Sequence, residues 1–170
     1  LEVSDVFVPA ARAVSLITDR PVAEGLLYRF PVFGLLALGI AAVATGIART
    51  AIDELVGNAG AKTPPGSKRL LGERAVIQLQ VAQAEAALQS SRAWLRAVVE
   101  EAWDMARTTG TIAVAQRAAL RLAATEATIR AARAVDLMYE AGGGTSIYAT
   151  SPLQRCFRDV HVVTQHAMVA

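Results

Sequence analysis

The sequence predicts an all-α protein, an up-down-up-down four-helix bundle entered through a short β-like segment. Three observations predict it. Hydrophobic residues make up 54% of the chain and aromatics only 5%, so the apolar content is aliphatic and mostly alanine. That suits thin, closely packed helices better than a sheet, which wants β-branched and aromatic residues. The longest periodic run sets Ile77, Val81, Ala84, Leu88, Ser91, Leu95, Val98, Ala102 and Met105 at alternating steps of four and three, the seam of helices that cross at a shallow angle. The links between the helical runs are short enough for antiparallel neighbours.

Taken in order, the chain opens with a short β-like run, Val3 to Val8, stopped by Pro9; one strand is not stable alone. Asp19-Arg20-Pro21 marks a turn or helix boundary. From Pro31 to Ala48 there is no charged residue, and the span meets the minimum length of a membrane crossing. Gly34, Gly39 and Gly46, followed by Arg49, Asp53 and Glu54 in unbroken helical character, favour instead a buried helix or one covered by a partner subunit. Ala37, Ala41, Ala44 and Ala48 would let a neighbouring helix come close. This first helix should end near Asn58-Ala59-Gly60, and Lys62-Thr63-Pro64-Pro65-Gly66-Ser67 is a loop by its turn residues.

The second helix is expected from about Leu70 to Thr108, with Arg74, Glu85, Arg92, Arg96 and Glu101 off the seam and Gly110 ending it. The third runs from Thr111 to about Glu140, its stripe read as Ala115, Ala118, Leu122, Thr125, Ile129 and Ala132. Glu126, Arg133 and Asp136 lie near that stripe and should pair at a bundle edge. Gly142, Gly143 and Gly144 read as a helix C-cap and tight turn. The fourth helix then starts with Ser151 as N-cap, Pro152 at the first position and Gln154 completing a capping box. It carries Arg155, Arg158, Asp159, His161 and His166.

The net charge is +2 with both signs interspersed, so no nucleic-acid or anionic-membrane surface is expected. The single cysteine, Cys156, excludes an internal disulfide and a cysteine zinc cluster and reads as a small buried apolar residue. His161 and His166 are about 140° apart around a helix and share no ligand face. No Glu-x-x-His motif is present either, so no metal site is expected. The glycine run lacks a preceding strand and is not a dinucleotide fingerprint. No signal peptide opens the chain, which reads as a cytoplasmic segment of a longer protein.

Gly143-Gly144, Pro152, Arg155 and Phe157-Arg158-Asp159, at these spacings, resemble the last helix of the acyl-CoA dehydrogenase superfamily. The tail Arg158-Asp159-Val160-His161 through Thr164-Gln165-His166 is similar to one branch of it, the flavin-dependent monooxygenases that act as oxygenase components of two-component aromatic hydroxylases. The resemblance implies that residues 1–20 are the remnant of a preceding β-domain and linker, and that 21–170 form the C-terminal four-helix domain. It implies a flavin, reduced FMN or FADH₂, delivered by a separate flavin reductase, a small aromatic substrate, and a homo-oligomer, dimer or tetramer. Gly142, Gly143 and Gly144 would lie against the flavin and His166 would face its ring. Arg158 and Asp159, with Arg155, would hold the helix or an interface, reaching separate partners because they point differently.

Two departures from the dehydrogenase pattern favour the monooxygenase branch. The carboxylate base expected near Ala167 is absent, and no carboxylate follows Asp159. The Arg-x-x-Phe segment that grips the FAD pyrophosphate is missing, the loop reading Ala61-Lys62-Thr63-Pro64-Pro65-Gly66. By its own chemistry His166 also reads as a helix-end histidine favoured by the C-terminal dipole. A dehydrogenase with its base elsewhere, and a bundle kept only for oligomerisation, remain the alternatives.

Overall fold

The computed structural model describes residues 2–170. It contains α1 (Val32–Ala59), α2 (Ala75–Thr109), α3 (Val114–Gly142) and α4 (Pro152–Thr164), and among the described residues there is no strand. The β-like run at 3–8 is irregular, exposed and unpartnered, as a single strand without a sheet must be.

Helix α3 is the centre of the bundle. It packs against α1, α2 and α4, while α1 and α2 meet far less. Ala37, Ala41, Ala44 and Ala48 are fully buried, and Ala37 and Ala41 share a cluster with Ala124 and Ala127 of α3. With only methyl groups between them the two helices can approach to the short end of the usual 8–10 Å range. The α2 seam is also as expected: Ile77, Ala84, Leu88, Ser91, Val98 and Ala102 are buried, and Val81, Leu95 and Met105 half-buried. An 18-residue window of α1 has a mean hydropathy of 1.9, enough by length and composition to cross a membrane, and 28% of that window is buried here.

The α3 stripe is a correction. Leu122 and Ile129 are 59% and 52% exposed, Ala115 and Ala118 are exposed, and of the six expected residues only Ala132 is buried. The buried face holds Leu120, Ala123, Ala124, Ala127, Thr128, Ala131, Val135 and Met138. A central, alanine-rich helix buries more than one side, so its apolar residues surround it and periodicity selects no single face.

Helix ends obey local chemistry. Gly110 closes α2 in the left-handed region, φ 78°, where glycine carries no steric cost. The Ala106 carbonyl accepts the Gly110 N–H at 3.1 Å, and Arg29 Nη1 donates to the same oxygen at 2.9 Å, tying the segment before α1 to the end of α2. A capping interaction absent from the sequence reading precedes α2, where the Leu70 N–H donates to Glu73 Oε2 at 2.9 Å. The expected capping box at Ser151 and Gln154 is not formed: Ser151 is the N-cap and Pro152 the first helical residue, but the serine side chain makes no capping bond.

Of the charges near the α3 stripe, Glu126 pairs with Arg130 at 2.7 Å and Asp136 with His161 at 2.9 Å, while Arg133 is exposed and is not part of either pair. Arg49 bonds Glu85 of α2 at 2.6 Å and, within α1, Asp53 at 2.9 Å. Hydrogen bonds from Gln89 and then Arg49 hold the Glu85 carboxyl below its ordinary range.

Candidate functional site

The glycine turn joins α3 to α4, and its three glycines do three different things. Gly142 is the last residue of α3, and a Cβ there would overlap Ser146 Oγ and sit 2.7 Å from Leu153 Cδ1. Gly143 takes φ 64°, a conformation that side chains resist. Gly144 has ordinary backbone angles, and a Cβ on it or on Gly143 would meet nothing within 4 Å. Main chain at 143–144 is therefore bare and open.

It is open onto a cleft of about 660 Å³ whose walls include Lys62, Arg74, Leu71, Ile77, Glu140 and Tyr148. A second cleft of about 420 Å³, bounded by Glu54, Asn58 and Pro152, shares Lys62, Leu71, Gly142 and Thr145 with the first. Lys62 Nζ donates to the Gly142 carbonyl and to Thr145 Oγ1, which leaves one of its three N–H groups for a ligand. Two cations and one carboxylate on the cleft wall leave it net positive, suited to a phosphate. Bare backbone beside apolar Leu71 and Ile77 suits a flat, bulky group. The donor set and the open glycines fit a flavin nucleotide.

Lys62 was legible only as a loop residue; no motif marks it, and its value comes from a contact 80 positions away. Ser146, whose hydroxyl is fully buried and unbonded, was likewise not singled out.

On α4 two expectations change. Arg158 and Asp159 pair with each other at 3.0 Å rather than reaching separate partners; the long guanidinium arm bends back to its neighbour on the exposed face. Arg155 is exposed. His166 is not on the helix. α4 ends at Thr164, and Gln165 turns the chain so that His166 lies exposed in the following turn. There the Met168 N–H donates to His166 Nδ1 at 3.2 Å. His161 bonds Asp136 and packs edge-on to Phe157, with centroids 4.6 Å apart. Cys156 is buried, and that burial pushes its thiol up, away from the reactive thiolate.

The glycine turn and His166 are not brought together. They stand at opposite ends of α4, whose 13 residues span about 20 Å.

A family model described as acyl-CoA dehydrogenase, C-terminal domain, matches residues 38–170. The chain belongs to this family. This acyl-CoA dehydrogenase C-terminal domain is 36% identical over 150 residues to a protein of Pseudomonas putida named indole-3-acetate monooxygenase, covering 88% of this chain and 39% of that one. A crystal structure of 3-HSA hydroxylase from Rhodococcus sp. RHA1 superposes with a TM-score of 0.83 at 26% identity, over 98% of this chain and 45% of that one. XiaF from a Streptomyces species, solved with FADH₂ and glycerol, shares the fold with a TM-score of 0.83 at 21% identity, over 97% of this chain and 43% of that one. The domain thus spans about two fifths of the length of its first relative.

Proposed function

We propose that this chain is the C-terminal helical domain of a flavin-dependent monooxygenase that hydroxylates a small aromatic substrate. The observation that carries the reading is the tail: where a dehydrogenase of this family needs a carboxylate, no acid stands between Asp159 and Ala170 and His166 is exposed instead. The names of the Pseudomonas and Rhodococcus relatives support it. Reduced flavin, FMN or FADH₂, supplies when bound the two electrons that activate O₂, one oxygen atom passing to the ring and the other leaving as water.

The chain's own residues have separable tasks. Lys62 and Arg74 hold phosphate, and Gly143 and Gly144 admit the nucleotide against bare backbone, while Gly142 keeps α3 and α4 in contact. His166 presents Nε2–H as a donor to the reacting face. Arg158, Asp159 and Arg155 keep the outer face of α4 for interface contacts. Because the glycine turn and His166 are about 20 Å apart by helix rise, a mononucleotide cannot touch both in one chain. Either FADH₂ bridges them or two copies contribute one feature each. We favour a homo-oligomer, dimer or tetramer, in the cytoplasm, served by a separate reductase. Residues 1–20 lead from a β-rich domain into the helical domain at 21–170.

The exposed Leu122, Ile129, Phe33 and Val43 give an oligomer apolar surface to cover. Light scattering on this chain should show dimers or tetramers; a clean monomer at micromolar concentration contradicts the assembly. The flavin cleft has its own test. A Cβ at Gly144 would meet nothing within 4 Å, so Gly144→Val sends its branched side chain from open main chain into the cleft. In the full-length protein the variant should melt like the parent and bind reduced flavin at least tenfold more weakly, the loss expected when a side chain occupies a ligand's space. Unchanged affinity places the flavin elsewhere.

A further inference from the structure

We propose that Arg121 is the positioning residue of His166, and that it acts by fixing which ring nitrogen carries the proton. The role of His166 rests on the proposed function; the proton's placement does not. His166 lies just past α4, its N–H still donating to the Val163 carbonyl at 3.0 Å, so the helix end holds its backbone while the residues that follow need other anchors. Arg121, half-buried on α3, extends across to the tail and its Nη2 donates to the Ala167 carbonyl at 2.8 Å. Two residues on, Val169 is 3% exposed and joins the cluster of Ala37, Ala41, Ala124 and Ala127. The turn is closed by bonds from the Val169 and Ala170 N–H groups to the His166 carbonyl, at 2.9 and 3.0 Å. Residues 167 and 169 are thereby anchored on either side of Met168.

What this anchoring aims is the Met168 N–H, which donates to His166 Nδ1 at 3.2 Å. A backbone N–H can only donate, so Nδ1 must be the bare acceptor and the neutral ring carries its proton on Nε2. The exposed edge of the imidazole is then a donor. That is the form needed to give a hydrogen bond or proton to an oxygen atom, and the opposite tautomer would offer a lone pair instead. Arg121 touches neither substrate nor cofactor; it acts through the Ala167 carbonyl and the turn.

The chain carries two histidines, so ¹⁵N-histidine labelling yields two ring systems, and His161→Gln assigns them. In the unaltered chain His166 should show a protonated Nε2 and an unprotonated Nδ1. Arg121→Ala should lower the Nε2–H to Nδ1–H ratio by roughly fivefold, about what one net hydrogen bond sustains, without changing the circular dichroism or melting temperature beyond a few degrees. Arg121→Lys keeps one donor and should recover most of the ratio. A protonated Nδ1 in the unaltered chain overturns the proposal, and so does an Arg121→Ala ratio equal to the parent's. In the full-length enzyme Arg121→Ala should raise peroxide release per reduced flavin consumed, with Arg121→Lys restoring coupling. If the tautomer shifts and coupling does not, the positioning of the proton stands and the functional reading of His166 falls. If coupling fails with the tautomer unmoved, Arg121 acts otherwise than proposed.

Discussion

Gly142→Ala is expected to destabilise the domain by about 2–3 kcal/mol, the upper part of the range for overpacking a filled site. The sign is the test, because glycine to alanine within a helix ordinarily stabilises by about 1 kcal/mol. Here the added methyl overlaps Ser146 Oγ and comes within 2.7 Å of Leu153 Cδ1. Both are buried, Ser146 in the turn after α3 and Leu153 at the start of α4. Relief by shifting Leu153 would open the start of α4, so the strain has no cheap outlet. The melting temperature should fall by roughly 5–10 °C for a chain of this size. Gly144→Ala, placed in open space, should change stability by less than about 0.5 kcal/mol. Adding Ser146→Ala to the Gly142→Ala background should recover part of the loss, since that hydroxyl is buried without a partner and its removal forfeits no hydrogen bond. Equal melting curves for the two glycine variants would contradict the packing described at the turn.

His166→Ala in the full-length protein is expected to leave folding, assembly and flavin binding intact and to cost about 10²-fold in productive turnover, the usual worth of a positioned proton donor. The side chain is exposed and lies beyond α4, so its loss leaves no cavity. Its Nδ1 accepts one bond from the Met168 N–H, and water can replace that partner at the surface. The loss should therefore appear as hydrogen peroxide released in place of product, with reduced flavin consumed at an undiminished rate. Normal coupling would return His166 to the role of a helix-end residue.

Much of this was legible in the sequence, for reasons that differ along the chain. The α1 alanines at 37, 41, 44 and 48 keep the helical steps of four, three and four and one size, and all are buried. The α2 seam alternates apolar residues with Arg92, Arg96 and Glu101, so its face is unambiguous. In α3 alanine surrounds the helix, and Leu122 and Ile129 drew the reading to an exposed side. At the site, the glycines announced the turn, but glycine alone does not say that Gly142 is there for space, Gly143 for its φ and Gly144 for neither. Lys62 and Arg121 could not be found from local pattern, because each acts on a carbonyl many positions away. His166 reads as helical by extrapolation beyond Thr164, but Gln165 turns the chain and Val169 then draws the tail back onto α1 and α3.

The central claim is oxygen transfer to an aromatic ring, and isotope incorporation measures it directly. The full-length protein, supplied with reduced flavin, a small aromatic substrate and ¹⁸O₂, should release a product heavier by one ¹⁸O atom, with the label absent when only the water is ¹⁸O-enriched. Label entering from water, or no hydroxylated product alongside flavin-dependent desaturation of an acyl-CoA thioester, would contradict the account.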